Sequence, residues 1–342
     1  MIMLCLWAGS SWAQTIRRVN PDRRVIGPNI YRTIQNAVNA ANPNDIIHIE
    51  AFKTIDSEGA TNSYYEEDIV INKTLTIIGN GYSYDNPELD FSMFDRFPSM
   101  VKKMEFVKGS EGSTLKNLFV LSVVYIRTSD ITIESCELFN LLFLPQTNDD
   151  QVQISEGKDC HVKKCFIRNL SGGSNIAIDN TFVKSLWGIT QSPIKNCYIA
   201  ILSHIENSSF INSIFDYQVT PSQQNKNYAN SYSHCLSLVD DLPDENSNVS
   251  NLDWAEIFSG VKEYETHTYE IENNMVLPNN SVAKGVGLNG EDIGIYGGSS
   301  PYKKSGVPNH PLRTYLLTST IGYDNINLNV KATFKVYKNE KY

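Results

Sequence analysis

The sequence lacks most of the features that announce a function early. No run of about 20 apolar residues is present, so no segment reads as a bilayer-spanning helix. No two cysteines stand in a Cys-x-x-Cys pair, which removes zinc sites of the usual spacing. A glycine-rich phosphate loop and a His-Glu-x-x-His metalloprotease motif are both missing. Positive charge is in deficit: 29 Lys and Arg face 38 Asp and Glu, for a net charge of -9. Nucleic-acid binding rests on neutralising phosphates with Lys and Arg, so a nucleic-acid partner is not expected.

Cysteine is also scarce. Six occur in 342 residues, and Cys5 falls in an N-terminal stretch that reads as a cleavable secretory signal. Ile2 to Ala8 are apolar, and Ser11 and Ala13 are small residues at the -3 and -1 positions before Gln14. The basic start usual in such signals is missing, as a translation start assigned too far downstream would make it. Residues 1–13 are therefore expected to be a signal peptide, and the protein to be secreted or displayed on a bacterial cell surface. The five cysteines then left form no even-numbered disulfide framework.

What is present is a repeat. Six segments share one frame: an apolar residue, a polar residue two places on, a usually small residue next, and an apolar residue two further. They begin at Leu115, Ile133, Val162, Ile178, Ile194 and Ile205, spaced 18, 29, 16, 16 and 11 residues apart. Residues two apart point to one face of a strand, and a chain that coils returns the same side chain about 4.8 Å above its predecessor. The frame predicts an all-β solenoid of short parallel strands. Asn117, Asn180, Asn196 and Asn207 take the polar place and are expected to form a ladder of mutually satisfied amides. Cys136, Cys165 and Cys197 take the small place and are expected to be buried, packing as small apolar groups. The repeat carrying Thr181 separates Cys165 from Cys197 by about two strand spacings, beyond the roughly 7 Å that a disulfide spans between Cα atoms. All three are expected to stay reduced. Unequal spacing means that loops leave the stack, the longest holding Leu144 to Gly157, and in solenoids such loops often form the binding face.

Outside the repeat, Ile30, Ile34, Ala37, Val38 and Ala41 fall at helical spacing before Asn42-Pro43-Asn44-Asp45. Ile46 to Ile49 reads as a strand, and Asp68 to Gly79 as two strands with a polar bend. A helix ahead of stacked strands suits a solenoid, whose open end needs a cap. Thr220 to Asn251 is polar and reads as an excursion, and Trp254, Ile257 and Phe258 as a short packed helix. Ser299 to Leu312 reads as a linker, and Thr314 to Tyr342 as one or two strands. The expected organisation is a signal over 1–13, a parallel β-helix over 14–300, and a linker and strand tail over 301–342.

YRTIQNAVNAANPNDIIHIEAF and DIVINKTLTIIGNGY resemble the opening of the pectin-lyase-like right-handed parallel β-helix proteins. Ser281 to Gly287 and Glu291 to Gly298 are similar to the closing coil of many secreted bacterial members. The resemblance implies a right-handed parallel β-helix with an N-terminal capping helix. It implies no single activity, because the superfamily spans lyases, hydrolases, esterases and non-catalytic binders. Lyases of this fold use a Lys or Arg base and a Ca²⁺ or second basic group at a uronate. The residues here that could do so are Lys158, His161 and Arg168, with Asp149, Asp150 and Lys163 as substrate-binding candidates and Lys164 beside them. The same residues read structurally are a solvated turn and outward strand positions. The hydrolase pattern is echoed only by Asn148-Asp149-Asp150, too little for a two-carboxylate mechanism. His204 and His234 have no evident metal partners, and no metal site is expected. The expectation is a monomeric, non-catalytic binder of polysaccharide or another surface component. The alternative is a lyase acting on a uronate-containing glycan, with Ca²⁺ as its cofactor.

Overall fold

A computed structural model describes residues 14–51, 54–55, 61–82, 98–147, 153–216, 227–262, 268–306, 314–323 and 328–336. The expected signal, with Cys5, and the Asn148-Asp149-Asp150 run lie outside the described residues. The chain divides into two units after Gly306.

The first unit is dominated by two all-parallel sheets. Sheet one has eleven strands, running from Ile30–Tyr31 and Ile16–Val19 to Ser231–Ser233. Sheet two has nine, from Tyr64–Ile71 to Leu236–Ser237. The chain alternates between them, so each circuit adds one strand to each sheet. Between the sheets lies the main core, built in columns. Ile47, Ile77, Leu115, Ile133, Val162, Ile178, Ile194, Phe210 and Tyr232 follow one another in register in sheet one, all buried. Val101, Val120, Leu138, Ile167, Val183, Ile199 and Phe215 do so in sheet two. Period-two alternation in each short strand produces these columns.

Gly172, Gly188 and His204, just after sheet-two strands, take the left-handed region, and each of the two corners that join the sheets has one such residue of its own. At the first corner these residues are Asn117, Ser135, Lys164, Asn180, Asn196, Asn212 and His234, with φ between 46° and 56°. At the second they are Asp130, Asp159, Asn175, Gln191, Asn207 and Ala229, with φ between 50° and 59°. The register corrects one assignment. Ile194 pairs with Phe210, not Ile205, so Asn207 belongs to the second corner and Asn212 occupies the first-corner place after Asn196. The frame repeats at Phe210-Ile211-Asn212-Ser213-Ile214-Phe215, restoring the 16-residue interval.

The amides of the first corner face the C-terminal segment. Asn117 Nδ2 donates to Gly306 O at 2.5 Å, and Asn180 Nδ2 to Ile295 O and Gly297 O at 3.0 and 2.7 Å. Asn212 Nδ2 donates to Glu291 Oε2 at 3.1 Å. Cys136, Cys165, Cys197 and Cys235 follow these corner residues, fully buried and without a disulfide between them. The Cys136 and Cys165 carbonyls accept from Phe166 and Phe182 N, whereas Tyr198 N bonds the Thr181 carbonyl, so Thr181 does stand between Cys165 and Cys197.

The helix is shorter than its periodicity suggests. It spans Ile34–Ala40, started by Thr33, whose hydroxyl accepts from Asn36 N, while Ile30 pairs with Arg18 as a strand. It packs against strands Ile16–Val19, Ile30–Tyr31, Ile46–Ile49 and Tyr64–Ile71. Residues 252–262 and 268–306 lie on the outer face of sheet two, where Ile257, Phe258, Ile271, Met275, Ile293, Ile295 and Tyr302 form a second core with Phe166, Phe182 and Tyr198. In the second unit, strands Thr314–Tyr323 and Leu328–Val336 pair antiparallel.

Candidate functional site

The longest interval between repeats folds as a hairpin. Strand Glu137–Phe143 continues into Pro145–Thr147, which pairs antiparallel with Gln153–Glu156 before the chain rejoins the stack at Lys158. The hairpin is tied to the preceding coil: Arg127 donates to Pro145 O at 2.9 Å, and Lys108 N donates to Gln146 Oε1 at 2.9 Å. Beside it an open groove of about 500 Å³ is lined by Lys108, Glu111, Thr128, Ser129, Gln153, Glu156 and Lys158.

The groove is polar and internally paired. Burial alone would raise the Glu111 carboxyl, but the Thr128 hydroxyl and the Gly109 N–H, among other donors, hold it below its ordinary value, so it is ionised at neutral pH. Glu156 accepts from Gln153 at 2.7 Å and pairs with Lys158 at 3.0 Å. That pairing raises the Lys158 pKa. Lys158 is thus held as an ammonium group, a donor rather than a proton acceptor.

The other sequence candidates sit elsewhere. His161 and Lys163 project from the outer face of sheet one. There Lys116, Glu134, Lys163, Asp179 and Lys195 succeed one another in register with alternating charge. Glu134 pairs with Lys116 at 2.9 Å and Lys163 at 3.5 Å, and His161 Nε2 lies 2.7 Å from Asp179 Oδ2. Such a ladder is what cross-strand pairing of opposite charges produces on a solvated face. Arg168 is on sheet two, its guanidinium 5.9 Å from the Phe139 ring centre. Lys158, His161 and Arg168 therefore stand at a corner and on two different sheets. Asp149 and Asp150 lie outside the described residues. Among the described residues no group of three or more His, Cys, Asp or Glu side chains is arranged to hold a metal.

Sequence reasoning passed over the outer face of sheet two. Beyond the part covered by the C-terminal segment, Phe139, Trp187 and Ile201 are 45%, 51% and 45% exposed. Trp187 is held in place: its Nε1 donates to His204 Nδ1 at 3.0 Å. Alongside runs a row of amides, with Asn169 Nδ2 donating to Asn140 Oδ1 at 3.1 Å and Asn140 Nδ2 to Ser122 O at 2.8 Å. The available signal was Trp187 immediately after Leu186, a large aromatic on the outward beat of a strand whose inward beat is aliphatic. No family model matches this chain, and no curated protein matches it.

Proposed function

We propose that this protein is a secreted or surface-exposed right-handed β-helix of the pectin-lyase-like kind, closed at one end by the helix Ile34–Ala40, that binds polysaccharide without turning it over. The observation that carries this reading is Trp187. An exposed indole fixed by a hydrogen bond, on a rigid parallel sheet, offers an apolar face for the C–H side of a sugar ring at little cost in side-chain entropy. On the two strands before it in sheet two, Arg168, Asn169 and Asn140 supply hydroxyl-directed donors and acceptors. The non-catalytic part is supported by the groove chemistry, in which Lys158 is held protonated and paired, and by the separation of Lys158, His161 and Arg168.

The test is affinity electrophoresis against a panel of neutral and acidic polysaccharides, with Trp187→Ala as the control. At least one polysaccharide is expected to retard the native protein, and Trp187→Ala to weaken that binding about tenfold, the equivalent of roughly 1.4 kcal/mol. Retardation by none of the panel, or an unchanged affinity in Trp187→Ala, overturns the reading. Release of unsaturated uronate products, measured by absorbance with and without calcium, would replace the binder by a lyase.

A further inference from the structure

Sheet two turns one outward column toward the segment that covers it. In register the column runs Phe119, Glu137, Phe166, Phe182, Tyr198 and Ile214. Phe166 stacks on Phe182 with ring centres 4.2 Å apart, and Phe182 on Tyr198 at 5.5 Å. A carboxylic acid interrupts this aromatic row, and only 5% of Glu137 is exposed.

The covering segment adds a second acid to the same seam. Helix Thr268–Asn274 sets the Thr268 hydroxyl on Glu137 Oε1 at 2.6 Å. One turn later Glu272, 1% exposed, accepts from the Tyr82 hydroxyl at 2.9 Å and from the Tyr302 hydroxyl. Tyr296 donates to the Glu272 backbone carbonyl at 2.9 Å. Three stretches that are distant in sequence thus meet on two enclosed carboxyl groups. Among the described residues, the cation acting on Glu137 comes from sheet two itself, the Arg168 guanidinium.

We propose that Glu137 is a proton-operated latch for the segment Thr268–Tyr302: protonated, it keeps the helix docked over the aromatic row, and ionised, it lets the segment lift and uncover Phe166, Phe182 and Tyr198. A neutral carboxyl in the seam costs little once Thr268 bonds it. An ionised one is a charge in a dry, aromatic-lined place with a second acid close by, and such a charge is strongly disfavoured. Burial accordingly pushes the Glu137 carboxyl up to about 7, with Thr268 and Arg168 pulling it down and Glu272 pushing it further up.

The sign follows from linkage. A carboxyl with a raised pKa favours the docked state fully below its ordinary value of 4.5 and loses that advantage as pH rises through about 7. The docking equilibrium is expected to fall on the order of a hundredfold across that window. This inference does not depend on the polysaccharide reading: the two share Arg168, but the latch needs no ligand and is read from opening of the helix, not from binding.

The experiment is hydrogen–deuterium exchange with mass spectrometry on the full chain between pH 5 and 8.5, corrected for intrinsic exchange. Opening of peptides covering residues 268–277 is expected to rise on the order of a hundredfold. Peptides covering strands Ile46–Ile49 and Thr114–Lys116 are expected to stay level. Glu137→Gln keeps the acceptor for Thr268 and cannot ionise, so it should flatten the profile. Arg168→Ala removes the stabilising cation and should move the transition to higher pH. A level profile in the native protein overturns the latch, as does an unaltered slope in Glu137→Gln. If Glu137→Gln does not fold, the native profile and the Arg168→Ala shift decide the matter, and an unmoved transition in Arg168→Ala counts against it.

Discussion

One left-handed residue at the first corner lets the chain leave sheet one and enter sheet two without a loop. The conformation is costly for most side chains and least so for Gly, Asn and Asp, whose short polar groups hydrogen-bond locally. The same geometry explains why asparagine recurs at the first corner. It also explains why the frame alone misplaced Asn207: Ile205-Glu206-Asn207-Ser208-Ser209-Phe210 turns at the second corner by the same device. Near Asn207 both corners pair a left-handed polar residue with a buried small one, so a six-residue window does not separate them, whereas the 16-residue step shared by Val162, Ile178, Ile194 and Phe210 does. The amides were read as satisfying one another, but Asn180 reaches Ile295 O and Gly297 O, acceptors 115 and 117 residues away that no local pattern reveals. Asn180→Gly keeps the left-handed backbone and deletes only these bonds. It should cost about 1–3 kcal/mol in urea denaturation, the penalty for leaving the Gly297 carbonyl unpaired, while Ile295 O keeps the Tyr302 N–H. Asn180→Leu should cost more, since it adds the strain of a left-handed leucine, about 1–3 kcal/mol. Equal stability of the glycine variant and the native protein would show that these bonds carry no weight. Asn196, whose buried Oδ1 has no hydrogen-bond partner among the described residues, has less to lose on truncation.

At the scale of elements, the alternation of short strands was legible because burial enforces a period of two. The C-terminal segment was not legible as a cover. Trp254, Ile257 and Phe258 showed a packed helix, but nothing in them says which face they pack on. The missing half of the signal lay in the stack: Phe166, Phe182, Tyr198 and Ile214 recur at 16-residue steps on positions that should face water. A repeated apolar residue on an outward beat means that something covers it. The candidate catalytic residues were illegible for a related reason. Closeness in sequence places His161 and Lys163 on sheet one and Arg168 on sheet two, because a left-handed corner intervenes at Lys164. Phe182 is the central ring of the covered row and is 1% exposed. Phe182→Ala is expected to destabilise by about 3–5 kcal/mol through lost contact and the cavity left behind. Trp187→Ala, on the uncovered stretch of the same sheet, should stay within about 0.5 kcal/mol of the native protein. Parallel thermal melts of the two variants check the contrast, and similar losses in both would contradict the assignment of covered and open faces.

At the scale of the molecule, each strand of the two sheets pairs only with the strands beside it, so the stability of the stack is close to a sum of nearest-neighbour terms, to which the covering segment adds ties at Asn117, Asn180 and Asn212. A stack of this kind opens from its ends more readily than from its middle. The buried thiols report on this directly. Cys136, Cys165, Cys197 and Cys235 mark one column, with Thr181 and Ser213 between the later members, and Cys160 lies on the same stack near the second corner. Burial pushes the Cys160 and Cys235 thiols up to about 12 and raises Cys136 and Cys197 well above the ordinary range. Since the thiolate is the reactive species, none of these four should react with an aromatic disulfide reagent while its coil is closed. Cys235 belongs to the last coil, whose strands Ser231–Ser233 and Leu236–Ser237 end the two sheets and are followed only by the short stretch Asn246 to Leu252, which bridges at Val249 and bonds the Cys235 carbonyl. Cys136 has paired strands on both sides. Pulsed thiol labelling in mild denaturant, read by mass spectrometry, should therefore modify Cys235 first, Cys197 next and Cys136 later. Denaturation before labelling should modify all of them together. Identical rates for Cys235 and Cys136 below the unfolding midpoint would mean that the two sheets open as one cooperative unit, and the nearest-neighbour account of the stack would then fail.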